Sequence, residues 1–456
     1  MRLIELFNDK KFYKSMLKLA LPIITQNLVL SSLNLVDTIM IGRLGERAIA
    51  SVGLANQYFF LLNLLLFGIV SGSSIFTAQY WGNKDLPNIK RVLGISLISG
   101  IISSSIFTLG ALMFPRQILS IFSKDMDVLL LGSRYLRIAA LSYIITSISF
   151  SFSFTLRSIG QVKTPMKVSI TALAVNTLFN YLLIYGSFGF PRMEVEGAAI
   201  ATVFARFIEV TLILYIVYKN KYQVAAKLYE LLDLSSSFIK QFFKVTTPVI
   251  LNETIWALGV SLYAIVYARM GTEVIASTNI SATIERIAWV VFLGIGNACA
   301  VMLGNKIGSG NEEDAFIYAK RFIIIGPSLA LLAGIIVAVS SKYILSAYNI
   351  SPVVYNYAAR NLLAFSAFLW VKCFNYICIV GILRSGGDTK FCLLLDTGGV
   401  WFVGVPLVFL GGIVWKLPIY WVYTLAYMEE VFKLILGLPR ILSKKWINNL
   451  TVKTKE

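Results

Sequence analysis

Histidine is missing altogether from this chain of 456 residues, and cysteine occurs only 4 times. Without imidazole there is no Ser–His or Cys–His nucleophilic couple. Cys299, Cys373, Cys378 and Cys392 lie in apolar stretches and form no CxxC pair. A zinc or iron–sulfur centre is excluded on that ground, and the four are read as small buried hydrophobes. No GxxxxGK[ST] phosphate loop occurs, so nothing points to ATP as the energy source. Charge is also scarce: Asp, Glu, Lys and Arg make up 14% of the chain, where soluble domains carry roughly 25%. No catalytic acid or metal cluster is read in the connecting segments at one membrane face, so the sequence predicts no enzyme and no cofactor.

What fills the chain is apolar residues, 57% of the total. Runs of about 20 recur from end to end, each able to cross the roughly 30 Å hydrocarbon core as a helix. They predict an all-α polytopic membrane protein with twelve transmembrane helices, near 16–41, 50–80, 92–114, 129–156, 166–187, 196–218, 241–268, 275–303, 318–340, 353–382, 391–414 and 417–438. The first run is too long for a signal peptide and lacks a small-residue cleavage site. The formal net charge is +18. Its Lys and Arg concentrate in every second connection: 2–18, 84–91, 157–167, 219–244, 306–321, 384–390 and 433–455. That is the positive-inside pattern, with both termini cytoplasmic. It makes membrane lipids, and not nucleic acid, the expected partner of the basic charge.

The two halves repeat. At an offset of 226 residues, Pro22 meets Pro248, Arg43 meets Arg269, Gly45 meets Gly271, Gly68 meets Gly294 and Gly82 meets Gly308. Farther on, "LRSIGQVKTP" (156–165) matches "LRSGGDTKF" (383–391) at an offset of 227. Six helices separate the copies, so both halves keep one orientation. The expected architecture is two six-helix bundles, 1–218 and 241–440, related by a pseudo-two-fold axis along the membrane normal. Segment 219–240 is a cytoplasmic linker, amphipathic enough for a surface helix, and 441–456 is a cytoplasmic tail. Parallel repeats of this kind build alternating-access transporters.

Several stretches together resemble the bacterial multidrug and toxic compound extrusion (MATE) family: "LPIITQNLVLSSLNLVDTIMIGRLG" (21–45), "TAQYWGNKD" (77–85), "LRSIGQVKTP", "NTLFNYLLIYGSFGFPRMEVEGAAIAT" (176–202), "GNKIGSGNEEDA" (304–315) and "GILRSGGDTKF" (381–391). The resemblance covers nearly the whole chain. It implies a monomeric multi-pass protein of the bacterial inner membrane that exports drugs or toxins, cationic or amphipathic, in exchange for H+ or Na+. The flippases of lipid-linked sugars or peptidoglycan precursors in the same superfamily are the alternative, kept open by Lys372, Arg286 and Arg206.

Asp37 is the residue that most needs explaining, since an acid at mid-bilayer costs about 2.5–3.5 kcal/mol. The resemblance places the coupling cation there, with Asn176 and Asn180, one turn apart on a helix face, and Thr202 around it. Carboxylate, amide and hydroxyl oxygens suit Na+, and a dry carboxylate suits proton uptake. In the second half the NorM-like branch implies acids on helices seven and ten. Glu253 stands on the matching face of helix seven. Helix ten has Cys373 near the acid's place, beside Lys372, which is read as a built-in cation for Glu253 or Asp396. Gln26, Asn27, Asn252 and Glu285 are candidates for lining a substrate cavity. Glu285 with Arg286, and Arg206 with Glu209, are expected to form ion pairs. Asp37 itself has no acidic mate: the residue 226 positions on is Tyr263.

Overall fold

The computed structural model describes residues 9–452, apart from the side chain of Asn34, and among them every regular element is helical. In hydrocarbon, backbone polar groups must be satisfied within the segment, and helices do this. The first six long helices are α1 (Lys10–Gly42), α2 (Glu46–Gly82), α3 (Leu86–Met113), α4 (Met126–Ser158), α5 (Lys163–Tyr185) and α6 (Glu194–Lys219). The next five are α7 (Ser236–Met270), α8 (Thr272–Gly308), α9 (Glu312–Ser346), α10 (Pro352–Leu383) and α11 (Thr389–Val414). These 11 are long and apolar enough to span a membrane. The twelfth, α12, is broken into Ile419–Ala426 and Met428–Leu442, the break falling at Tyr427.

Most helices run several residues past their apolar cores, as in α9, which begins at Glu312 instead of 318. Local chemistry sets some of these starts. Asp85 accepts from the Asn88 amide at 3.2 Å to cap α3, and Ser351 accepts from the Val354 amide at 3.3 Å to cap α10, with Pro352 at its first position. The second half also holds three stretches of wide π-type turns, at Ile377–Leu383 in α10 and at Gly399–Gly404 and Leu410–Val414 in α11. Such turns often mark functional positions.

The chain folds as two compact units. The first-half unit comprises Thr25–Thr77 and Asp85–Thr246; the second-half unit takes in α1 up to Ile24, Ala78–Lys84 and the chain from Thr247. The divisions thus fall inside α1, α2 and α7 and in the short α2–α3 connection, and not in the 219–240 connection. In the first-half unit, α3 packs on α4, α4 on α6 and α5 on α6. Its core includes Val52, Leu62, Leu66, Leu136, Tyr143 and Ile184. In the second-half unit, α8 packs on α9 and α10, and α9 on α10.

The linker departs from expectation. Residues 236–240 belong to α7, and between the end of α6 and the start of α7 only Leu228–Leu231 is helical, a single turn instead of a surface helix. Ion pairs fix it to α3: Lys90 to Glu230 at 2.7 Å, and Arg91 to Asp233. The Lys90 ammonium beside Glu230 holds that carboxyl below its usual range. Leu231 also lies against Gly94, where a side chain's Cβ would stand 1.9 Å from its carbonyl oxygen.

The tail is built into the second-half unit as far as it is described. Trp446 is fully buried. Asn448 donates to the Gly386 carbonyl at 3.0 Å, and the Leu450 amide donates to Gln79 Oε1 at 2.7 Å. Gln79, itself buried, donates to the Ser385 carbonyl at 2.8 Å. The repeat-matched glycines explain why the ends of α2 and α8 can meet here. A Cβ on Gly82 would lie 2.0 Å from the Asn305 carbonyl oxygen, and one on Gly308 only 1.8 Å from that of Gln79. Truncating Trp446 to Ala should therefore cost about 3–5 kcal/mol, as for other buried aromatic residues. A melting temperature unchanged from wild type in a detergent thermal-shift assay would contradict this.

Candidate functional site

In the first-half unit, α1 carries Asp37 towards α5. Asn180 Nδ2 donates to Asp37 Oδ1 at 2.5 Å and to Asn176 Oδ1 at 3.0 Å. Both asparagines are buried, Asn180 fully, and the one-turn spacing on α5 aims them together. Among the described residues, the Asn180 Oδ1 and Asn176 Nδ2 atoms have no hydrogen-bond partner. Thr202 on α6 bonds its own helix at the Ala198 carbonyl, 3.0 Å away, and Tyr135 on α4 faces both Thr202 and Asp37. Arg206 is the nearby cation, but Glu209 pairs with it at 2.7 Å. Asp37 is thus a lone carboxylate held by an amide. Among the described residues, no three Asp, Glu, Cys or His side chains converge as a metal cage.

Gln26 and Asn27 part company. Gln26 is buried in a polar contact of its own: it donates to Ser169 Oγ at 2.9 Å, and Arg157 donates to its Oε1 at 2.7 Å. Asn27 is only partly buried.

The second-half unit assembles a larger polar cluster. Arg384 on α10 donates to Glu253 on α7 at 2.7 Å. Asn252, one residue earlier on α7, donates to Asp396 on α11 at 2.9 Å. Lys433 on α12 sits 2.7 Å from Asp396 and 3.3 Å from Glu429. The Tyr263 hydroxyl donates to the other Glu429 oxygen.

These partners correct the sequence reading. Lys372 pairs with neither Glu253 nor Asp396. Its ammonium lies over the Trp289 ring, 5.1 Å from the centroid, and acts electrostatically on Glu285. Glu285 takes its hydrogen bonds from Tyr423 at 2.5 Å and Tyr427 at 3.4 Å, not from Arg286. Arg384 and Lys433, expected among the basic residues of cytoplasmic connections, are 3% and 2% exposed. Arg384 reaches inward to Glu253 on α7, and Lys433 to Asp396 on α11 as well as to Glu429 one turn before it. Arg206 and Glu209 do form the expected pair.

The repeat is legible in these contacts. The offset of 227 that matches Arg157 with Arg384 also takes Ser169 to Asp396, and Gln26 lies 226 residues before Asn252. The Gln26–Ser169 and Asn252–Asp396 bonds are therefore one contact made twice, both at 2.9 Å. Arg157 grips Gln26, while Arg384 grips the residue beside Asn252, which is Glu253.

A family model described as MatE matches residues 22–182 and again 248–410, one match per half. The probable multidrug resistance protein NorM of Thermotoga maritima is 24% identical over 443 residues, covering 95% of this chain and 93% of the relative. Multidrug resistance protein PmpM of Pseudomonas aeruginosa is 24% identical over 399 residues, covering 86% of this chain and 83% of the relative. Among solved structures, the Vibrio cholerae MATE transporter VcmN superposes with a TM-score of 0.87 at 16% identity, over 95% of this chain and 97% of its own. A MOP superfamily transporter from Pyrococcus furiosus does so with a TM-score of 0.86 at 20% identity, over 98% of this chain and 99% of its own.

Proposed function

The chain belongs to the MatE family, a family of transporters and not of enzymes, and from that premise we propose that it is a proton-coupled exporter of organic compounds. The relatives named above as multidrug resistance proteins support drugs or toxins, cationic or amphipathic, as the cargo. The multi-pass helical fold supports a membrane location. The alternating Lys and Arg pattern supports both termini on the cytoplasmic side, and the family resemblance supports the bacterial plasma membrane and a monomer as the working unit.

The observation that carries the ionic half of the reading is Asp37, a carboxylate on a membrane-spanning helix bonded to the Asn180 amide. An intramembrane acid is a functional group by default. Asn180 turns an N–H and not an oxygen towards Asp37, so few oxygens converge there for Na+, and a single carboxyl suits a proton better. Proton binding at Asp37 would favour one conformation of the transport cycle over the other, which requires differential affinity for the two. The flippase alternative needs unpaired positive charge for a pyrophosphate, and Glu209 already neutralises Arg206.

Ethidium transport by proteoliposomes distinguishes these readings. An imposed pH gradient should drive uptake against the ethidium gradient, and a Na+ gradient at equal pH on both sides should not. Uptake driven only by Na+ would overturn the proton assignment. Transport of a lipid-linked sugar with no response of ethidium to either gradient would favour the flippase.

A further inference from the structure

Among the described residues, the cluster in the second-half unit has more acid than its cations can neutralise. Four carboxylates, Glu253, Asp396, Glu429 and Glu430, gather around two cations, Arg384 and Lys433. Arg384 is taken by Glu253. Lys433 is then shared between Asp396 and Glu429, with Asp396 the nearer at 2.7 Å against 3.3 Å. Two carboxylates that share one ammonium in a buried place resist ionising together, and the more weakly paired one keeps a proton more readily. That one is Glu429. Its remaining oxygen is bonded by the Tyr263 hydroxyl, and Tyr267 also faces it from α7.

The repeat gives this place a meaning. Tyr263 stands 226 residues after Asp37, and Glu429 and Lys433 stand 227 after Thr202 and Arg206. In the first-half unit the acid is on α1, with the hydroxyl of Thr202 on α6. In the second-half unit the hydroxyl is on α7 and the acid is on α12. Carboxyl and hydroxyl have changed places between the halves, while Asn176 and Asn180 have no polar counterparts, since the same offset takes them to Val403 and Leu407. The fold makes room for the exchange. A Cβ at Gly404 would stand 1.8 Å from the Tyr263 hydroxyl and 2.6 Å from Glu429 Oε2, and one at Gly399 would stand 2.6 Å from Lys433 Cε. Both glycines lie in the π-type turns of α11. A cleft of about 190 Å³ between α7 and α11 has Tyr263 in its wall.

We propose that Glu429, held between Tyr263 and Lys433, is a second proton-binding carboxyl, the counterpart in the second half of Asp37. The proton it takes up comes from bulk water and returns there; no covalent bond other than O–H forms or breaks. The inference deepens the proton-coupled reading and assigns the exporter two exchangeable protons, one in each half.

Infrared difference titration of the purified, lipid-reconstituted protein tests it without relying on transport. Protonated carboxylic acids give a C=O band that disappears on ionisation. Difference spectra between wild type and each variant isolate one carboxyl. Asp37→Asn should remove one titrating band and leave a second, Glu429→Gln should remove that second band, and the double variant should lose both. Loss of the second band in Glu429→Gln with no change in Asp37→Asn would sustain this inference and remove the Asp37 reading instead. A Glu429→Gln spectrum identical to wild type would overturn the inference. Should Glu429→Gln not fold, Tyr263→Phe in the Asp37→Asn background replaces it. Removing the hydroxyl that bonds the ionised carboxylate should move the remaining midpoint to higher pH, and an unmoved midpoint would overturn the inference equally.

Discussion

Asp37→Asn is expected to abolish gradient-driven efflux while leaving a protein that inserts and folds. The substitution keeps the size and the carbonyl oxygen that can accept from Asn180, which now bonds Asp37 at 2.5 Å. It removes the charge that a proton would cancel there. A neutral amide is also easier to hold in a membrane than an acid, so thermal stability should equal or exceed that of wild type. Proteoliposome uptake driven by an imposed pH gradient should fall to the passive leak. Uptake at the wild-type rate would show that Asp37 is not the coupling group. Substrate binding measured without a gradient should survive, because the substitution removes no contact this reading assigns to the cargo.

The second large effect concerns stability and separates two partners of one ion pair. Arg384 is 3% exposed and Glu253 14%. Breaking such a pair by deleting one partner costs about 3–5 kcal/mol, because the other charge is left buried and uncompensated. Arg384→Met should bear that cost in full and lower the melting temperature strongly. Glu253→Gln should cost less, since glutamine keeps an oxygen that can accept from Arg384, and the Asp396 carboxylate also acts on that guanidinium. The double variant, Glu253→Gln with Arg384→Met, should recover much of the loss. Equal melting temperatures for Arg384→Met and Glu253→Gln would show that Glu253 is more than a counterion to Arg384.

Apolar runs and a glycine-marked repeat make the helical architecture legible in the sequence. The Asp37–Asn180 contact is legible too, because one polar face of α5 and one acid on α1 are scarce features in an apolar background. Lys433 is different. It lies at the end of an apolar run, where a basic residue fits the membrane surface, and only the packing of α12 against α11 turns it inward to Asp396. Lys372 misleads in the opposite sense: an aromatic ring, not a carboxylate, receives its ammonium. The break at Tyr427, where the ring stacks on Phe368, carries no proline or glycine signal. For Lys433 the repeat does hold a clue. Carrying the offset of 227 onward from the "LRS" motif brings Glu429 and Lys433 into register with Thr202 and Arg206.

The four cysteines have a practical consequence. All are free and buried, none more than 1% exposed. Thiol reagents need an accessible thiolate, so maleimide labels should ignore the native chain. Single cysteines introduced at chosen exposed positions would then be the sole attachment points, and spectroscopic distances through a transport cycle could be measured without first stripping the protein of its own thiols.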